Sequence, residues 1–265
     1  MNETSAPDTS PDFVQSLARG LAVIAAFSAE RPRMTLTEVA AVTNLTRATA
    51  RRFLLTLEHL GYVRSDTKQF SLTPRVLELG FSYLSALGLP DVIAPRLQEL
   101  SAQLHESASA AVLDGGDIMY IARSASRKIM QVQITVGTRF PAYATAMGRV
   151  LLAALPSTEA TTLIQASSPR ALTPHTKTSL TDLQASLEEA RRAGYSLVDE
   201  ELELGLRSLA MPIHDSHGNV LAAVNVSTVA RDPIAVTLAA LLPGLSATAR
   251  LVTADLSATG TTSPV

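Results

Sequence analysis

The 265-residue chain has no cysteine and no tryptophan, and its aromatic side chains are six Phe and five Tyr. Without thiols there can be no disulfides, thiolate zinc sites, iron–sulfur clusters or cysteine nucleophiles. So few aromatic rings argue against an aromatic-lined sugar groove or a base-stacking platform. Long apolar runs are also missing. The longest, such as Leu21–Phe27 and Val150–Leu155, fall short of the ~20 residues needed to span a bilayer. Residues 1–12 are rich in Ser, Thr, Pro and Asp, with no basic or apolar region, and are expected to form a disordered tail rather than a signal peptide. These features point to a soluble cytoplasmic protein with no membrane partner. What the chain does contain is 46% hydrophobic residues, enough to build packed cores and too many for a disordered polypeptide. Its length suits two domains better than one.

The net charge of −2 hides a division. Residues 1–12 carry −3; residues 13–75 carry nine basic against four acidic side chains, or +5; residues 76–265 carry −4. A small basic module joined to a larger acidic one raises the prior for a polyanion-binding domain fused to something else.

Within the basic module, Leu17, Leu21, Ile24 and Phe27 recur at helical spacing and predict a helix from Val14 to about Ala29. Thr35 and Glu38 have the spacing of a capping box that opens a short second helix. Asn44 suits a left-handed turn residue, Thr46 can cap a third helix, and Gly61 can close it. On that third helix Ala50, Phe53, Leu54, Leu57 and Leu60 form an apolar face, with Arg47, Arg51 and Arg52 elsewhere on the surface. Helix, tight turn and basic second helix form a helix-turn-helix, whose second helix enters the major groove. An arginine fork there can pair with guanine O6 and N7. Candidate DNA contacts are Arg47, Ala48, Thr49, Arg51 and Arg52. Two alternating segments around Asp66-Thr67-Lys68 predict a hairpin wing, from which Arg64 and Lys68 would reach phosphates or the minor groove.

Thr73-Pro74 starts a predicted linker helix, and a longer helix follows over about Asp91–His105. Strands are expected at Ala108–Leu113, Ile118–Ser124, Met130–Val136, Ser196–Val198, Leu206–His214 and Val220–Thr228. Helices are expected at Ala144–Leu155, Ser157–Ala166, from Ser179 to Ala193, and from Asp232 to about Leu256. Strands grouped in hairpins between helices indicate an α+β domain with an antiparallel sheet. The expected organisation is a tail (1–12), a winged helix-turn-helix domain (13–73), a linker helix (74–89), an effector-binding domain (90–257) and a second tail (258–265).

These residues resemble the IclR family of bacterial transcriptional regulators. The resemblance is carried by Gln15–Leu21, Leu36–Ala40, Leu57–Val63, the run Gly137–Ala153, and Gly194-Tyr195-Ser196 followed by Asp199–Glu201 and Leu204–Ala210. Tyr120–Arg123 and the Pro-Ala-Tyr-Ala-Thr run also resemble the subgroup that controls protocatechuate, 4-hydroxybenzoate, catechol and β-ketoadipate degradation. The resemblance implies a winged helix-turn-helix, a linker helix that helps dimerise, and a GAF/PAS-like effector-binding domain. It implies a homodimer or dimer of dimers on operator DNA, with RNA polymerase a candidate further partner and a small organic acid as effector.

Carried over residue by residue, the effector pocket falls on Tyr143, Ala146, Met147, Leu206, Ser208, Asn225 and Ser227. Leu206 and Ser208, like Asn225 and Ser227, are two apart and share a strand face. Small polar groups on an inward face need partners, which a bound acid or hydroxyl would supply. Arg123 is a candidate for an effector carboxylate, against the alternative of a structural ion pair. Arg207 is expected to pair with Glu200, Glu201 or Glu203, and the acids from Asp199 to Glu203 are otherwise expected on solvated faces. The histidines are scattered, with His214 and His217 at a hairpin turn, so no metal, cofactor or catalytic residue is assigned. Two alternatives remain: a cryptic hydrolase with an accessory DNA-binding domain, and a DNA-binding scaffold whose second domain only oligomerises.

Overall fold

The computed structural model describes residues 13–28, 30–76, 79, 89–126 and 134–259. The chain divides into two compact units, Met1–Tyr83 and Leu84–Val265. The tails 1–12 and 260–265 lie outside the described residues, and so does most of the expected linker helix, of which Pro74–Val76 form one 3-10 turn.

The first unit contains α1 (Gln15–Ala25), β1 (Met34–Thr35), α2 (Leu36–Val42), α3 (Arg47–His59), β2 (Val63–Asp66) and β3 (Gln69–Leu72). Its boundaries follow from local chemistry. Thr35 Oγ1 accepts from the Glu38 amide at 3.4 Å, and the Glu38 carboxylate accepts from the Thr35 amide at 2.7 Å. Those bonds from Thr35 hold the exposed Glu38 carboxyl below its ordinary range. Asn44 takes φ +52°, Thr46 Oγ1 accepts from the Thr49 amide at 3.2 Å, and Gly61 turns the chain at φ +80°. Val23, Met34, Val39, Ala50, Leu54 and Val63 form the core. The wing is an antiparallel sheet of order β1-β3-β2, one strand larger than expected. Asp66 pairs with Gln69, so Thr67 and Lys68 make a two-residue tip, both at positive φ.

The second unit runs α4 (Leu89–Leu104), β4 (Ser107–Asp114), β5 (Asp117–Ser124), β6 (Arg139–Pro141), a 3-10 turn (Ala142–Ala144), α5 (Ala146–Ala154), α6 (Ser157–Ala166), α7 (Leu180–Ala193), β7 (Ser196–Asp199), β8 (Leu206–His214), β9 (Val220–Val229) and α8 (Ile234–Thr259). The sheet order is β6-β5-β4-β9-β8-β7, antiparallel throughout. Period-two alternation divides its side chains between two cores. Ala108, Ala110, Leu209, Val224 and Val226 pack with α4 and α8; Ala111, Tyr120, Ala210 and Ala223 pack with α5 and α7. By length and composition α8 could cross a bilayer. Its Leu241, Leu245, Val252 and Leu256 are instead buried in the sheet core, which accounts for the apolar stripe.

The strand expected at Met130–Val136 differs from the structure over its last three residues. Residues 130–133 lie outside the described set, and Ile134–Val136 are loop and turn. The edge strand is β6, three residues later, because Gly137 at φ +87° redirects the chain and Arg139 ion-pairs with Asp114 and Asp117 beside the β4–β5 turn.

Candidate functional site

In the first unit, α3 buries Ala50, Leu54 and Leu57 and leaves Arg47, Ala48, Arg51 and Arg52 exposed. The three arginines have no side-chain hydrogen bond or ion pair among the described residues, so their donors are free to meet a polyanion. Thr49 is half-buried, and its hydroxyl lies 2.8 Å from that of Thr46, which ties it to the helix cap. On the wing, Lys68 is exposed at the tip, and Arg64 Nε donates to Ser71 Oγ at 3.1 Å. The predicted DNA contacts therefore separate into a helix face, a cap residue and a wing.

In the second unit, a cleft opens between α5, the sheet and the β7–β8 connection. Ala146 and Met147 of α5, Leu206 and Ser208 of β8, and Asn225 and Ser227 of β9 all line it. Its volume is about 20 Å³, room for roughly one water. Asn225 is buried; its Nδ2 donates to Ser208 Oγ at 2.7 Å and Ser227 Oγ at 3.0 Å. Its Oδ1 is a buried acceptor with no partner among the described residues, which costs about 1–3 kcal/mol unless a water or a ligand supplies a donor. Tyr120, Thr145, Val198 and Leu202 also form the walls and were not assigned from sequence. The Tyr120 hydroxyl makes no hydrogen bond among the described residues. Burial raises its pKa to about 12, with Arg123 pulling the other way, so it is a neutral donor at physiological pH.

Two predicted residues stand outside the lining. Arg123 is half-buried across Ser109 from Asn225, in one row of the sheet: Ser109 pairs with both. It has no ion-pair partner among the described residues, and burial lowers its pKa. Tyr143 is buried with its hydroxyl occupied, donating to the Arg170 carbonyl at 3.0 Å and accepting from the Arg170 amide at 3.1 Å.

The walls are held by a buried ion pair that sequence reasoning missed. Arg149 of α5 donates NH1 and NH2 to the two Glu201 carboxylate oxygens at 2.7 and 2.5 Å, and Nε to the Tyr143 carbonyl at 3.0 Å. Glu201 is thus buried rather than solvated. Its fork ties the turn before Ala144 to the loop before Leu202, two parts of the cleft wall. Arg207 pairs instead with Asp199, at 2.7 and 2.9 Å, because the two are directly opposite across β7 and β8. Close packing fixes α5 as well. A Cβ on Gly148 would lie 2.2 Å from the Ala142 carbonyl oxygen. Gly148→Ala is expected to displace this turn and cost about 3 kcal/mol in urea unfolding; a change under about 1 kcal/mol would show that the turn yields.

A larger cavity of about 540 Å³ lies elsewhere, between α5, α7, α8 and the end of β8, with Val150, Ala153, Met211 and Ala249 in its walls. It holds no unpaired buried polar atom, so size alone does not make it the ligand site. Among the described residues no cluster of three or more His, Asp or Glu could hold a metal ion.

A basic helix-turn-helix with a wing, followed by an antiparallel-sheet domain, defines a DNA-binding regulator of transcription. Residues 16–67 match the IclR helix-turn-helix domain, and residues 81–254 match the bacterial transcriptional regulator IclR C-terminal domain. The chain belongs to the IclR family, and its relatives are regulators rather than enzymes. It is 47% identical to the Pca regulon regulatory protein of Pseudomonas putida, over 82% of this chain and 75% of that one. It is 37% identical to the p-hydroxybenzoate hydroxylase transcriptional activator of Acinetobacter baylyi, over 81% of each. An IclR homologue from Microbacterium hydrocarbonoxydans, solved with 4-hydroxybenzoate, aligns with TM-score 0.80 and 26% identity over 92% of this chain and 99% of that one.

Proposed function

We propose that this chain regulates genes of aromatic-acid catabolism, sensing a small aromatic acid or ring-cleavage product in the cleft at Asn225. The observation that carries this reading is the buried, unpartnered Asn225 oxygen among Ser208, Ser227 and Tyr120. The names of the relatives and the hydroxybenzoate complex support the ligand class. A benzene-sized ligand fills ~150 Å³, so binding requires the walls to move apart. That movement gives the ligand different affinities for two conformations, which is what regulation requires. Arg123 takes the carboxylate, and Ala146, Met147 and Leu206 contact the ring. The regulator acts in the cytoplasm as a homodimer or dimer of dimers, with RNA polymerase a further partner. The test is a titration of protocatechuate, 4-hydroxybenzoate and β-ketoadipate into the full chain on an operator selected in vitro. One of them shifts operator affinity; no shift with any of them defeats the sensing role.

Arg47, Ala48, Thr49, Arg51 and Arg52 meet the operator, with Arg64 and Lys68 supporting from the wing. Arg51→Ala is expected to weaken operator binding by about 1–3 kcal/mol and relax sequence preference at one base pair. Equal losses on matched and mismatched operators would remove Arg51 from base reading.

A further inference from the structure

The wing sheet brings two arginines into one row. Arg64 on β2 pairs directly with Ser71 on β3. On the other side of β3, β1 enters the register at Met34 opposite Phe70, which sets Arg33, one residue earlier, beside Ser71. Opposed residues in an antiparallel ladder share a face. Met34 is buried against the core, so the neighbouring Arg33 projects to the outer face with Ser71 and Arg64. Arg33, Arg64, Asp66, Gln69 and Ser71 all line one cavity of about 290 Å³. Strand spacing separates the two arginines by roughly 10 Å at the backbone.

Neither arginine has a carboxylate partner among the described residues. Asp66, the one acid in the cavity, accepts from the Thr67 hydroxyl at 2.6 Å. Arg64 Nε is held by Ser71, and its two terminal nitrogens make no hydrogen bond among the described residues. Asp66 shares this face and offsets one of the two positive charges, so the cavity keeps a net positive charge that favours an anion. Guanidinium forks match phosphate oxygens in geometry and charge.

We propose that the outer face of the wing sheet binds the phosphodiester backbone of duplex DNA, with Arg33 as a contact in its own right beside Arg64. This rests on the DNA-binding reading and adds a third contact surface, built from the segment between α1 and α2, to those of α3 and the wing tip. The contact carries no base information, because phosphates are alike along the duplex.

The test is the salt dependence of binding by the full chain to a random-sequence duplex of about 30 base pairs and to an operator selected in vitro. Arg33→Gln is expected to lower the slope of log affinity against log salt by about 0.9 per bound protomer. The corresponding loss at ~0.1 M salt is roughly eightfold, the same on both duplexes. Arg33→Lys keeps the charge and is expected to keep the slope. If the wild-type chain binds with a steep slope and Arg33→Gln leaves it unchanged, the wing-face proposal fails alone. A loss confined to the operator, or a slope that Arg33→Lys also lowers, overturns it equally. If the wild-type chain shows no salt-dependent DNA binding, the DNA-binding reading itself fails.

Discussion

Arg149→Met is expected to destabilise the second unit by about 3–5 kcal/mol. The variant leaves the Glu201 carboxylate buried, with the Lys177 amide at 2.9 Å as its remaining charge-assisted donor. An uncompensated buried charge costs far more than a lost surface pair, because water cannot replace the missing partner. The guanidinium also satisfies the Tyr143 carbonyl, so a backbone acceptor is orphaned at the same time. The double variant Arg149→Met with Glu201→Leu is expected to recover part of the loss, since it removes both charges together but leaves the Tyr143 carbonyl and the Lys177 amide without these partners. The chain has no Trp, so far-UV circular dichroism in urea follows the transition. A single-variant loss under about 1 kcal/mol, or a double variant no better than the single, would show that the pair is not what holds this region.

The parts of the fold legible in the sequence are those set by neighbours in the chain. The Thr35–Glu38 box, the Thr46 cap, Asn44 and Gly61 delimit the helix-turn-helix through bonds spanning a few residues. The span expected for β8, Leu206–His214, matches the strand, because its largely apolar run packs on both cores and the Asp215–Asn219 turn ends it. What was not legible depends on distant partners. β1 has two residues, too few for any alternation, and exists because β3 pairs with it. Glu201 lies 52 residues from Arg149, and a lone acid in an acidic run looks solvated. A signal was nevertheless present: α5 is apolar on every side of Arg149, and a helix apolar all round is buried, so its single cation must have a partner. In the same way, Asp199 opposite Arg207 follows from strand register, whereas charge proximity in sequence favours Glu200, Glu201 or Glu203. The cleft residues follow from the family resemblance, and the two-residue spacing of Leu206/Ser208 and Asn225/Ser227 agrees with a shared strand face. The resemblance puts Tyr143 in the same set, yet its hydroxyl reaches the Arg170 main chain.

Asn225→Ala is expected to abolish most discrimination between effectors at little cost in stability. In the wild-type protein the Asn225 Oδ1 is buried without a donor among the described residues, a need that the hydroxyl of the proposed ligand would meet. 4-Hydroxybenzoate is therefore expected to bind at least tenfold more tightly than benzoate, because a site built to hydrogen-bond a hydroxyl rejects an analogue lacking it. β-Ketoadipate, which offers acceptors only, would leave the oxygen unpaired. Removing the amide removes both the unsatisfied acceptor and its two bonds to Ser208 and Ser227. Those hydroxyls lie 3.1 Å apart and still pair with each other, so the change in folding stability is expected to stay within about 1 kcal/mol. Calorimetric titration of each ligand into both proteins measures the two affinities. A hydroxybenzoate preference that survives in Asn225→Ala places the recognition elsewhere in the cleft, with the Tyr120 hydroxyl the next group to replace. Tighter wild-type binding of β-ketoadipate than of 4-hydroxybenzoate would mean that the amide presents its nitrogen to the ligand, with Oδ1 turned to accept from the two serine hydroxyls. The order of affinities thus reports which end of one buried side chain reads the effector.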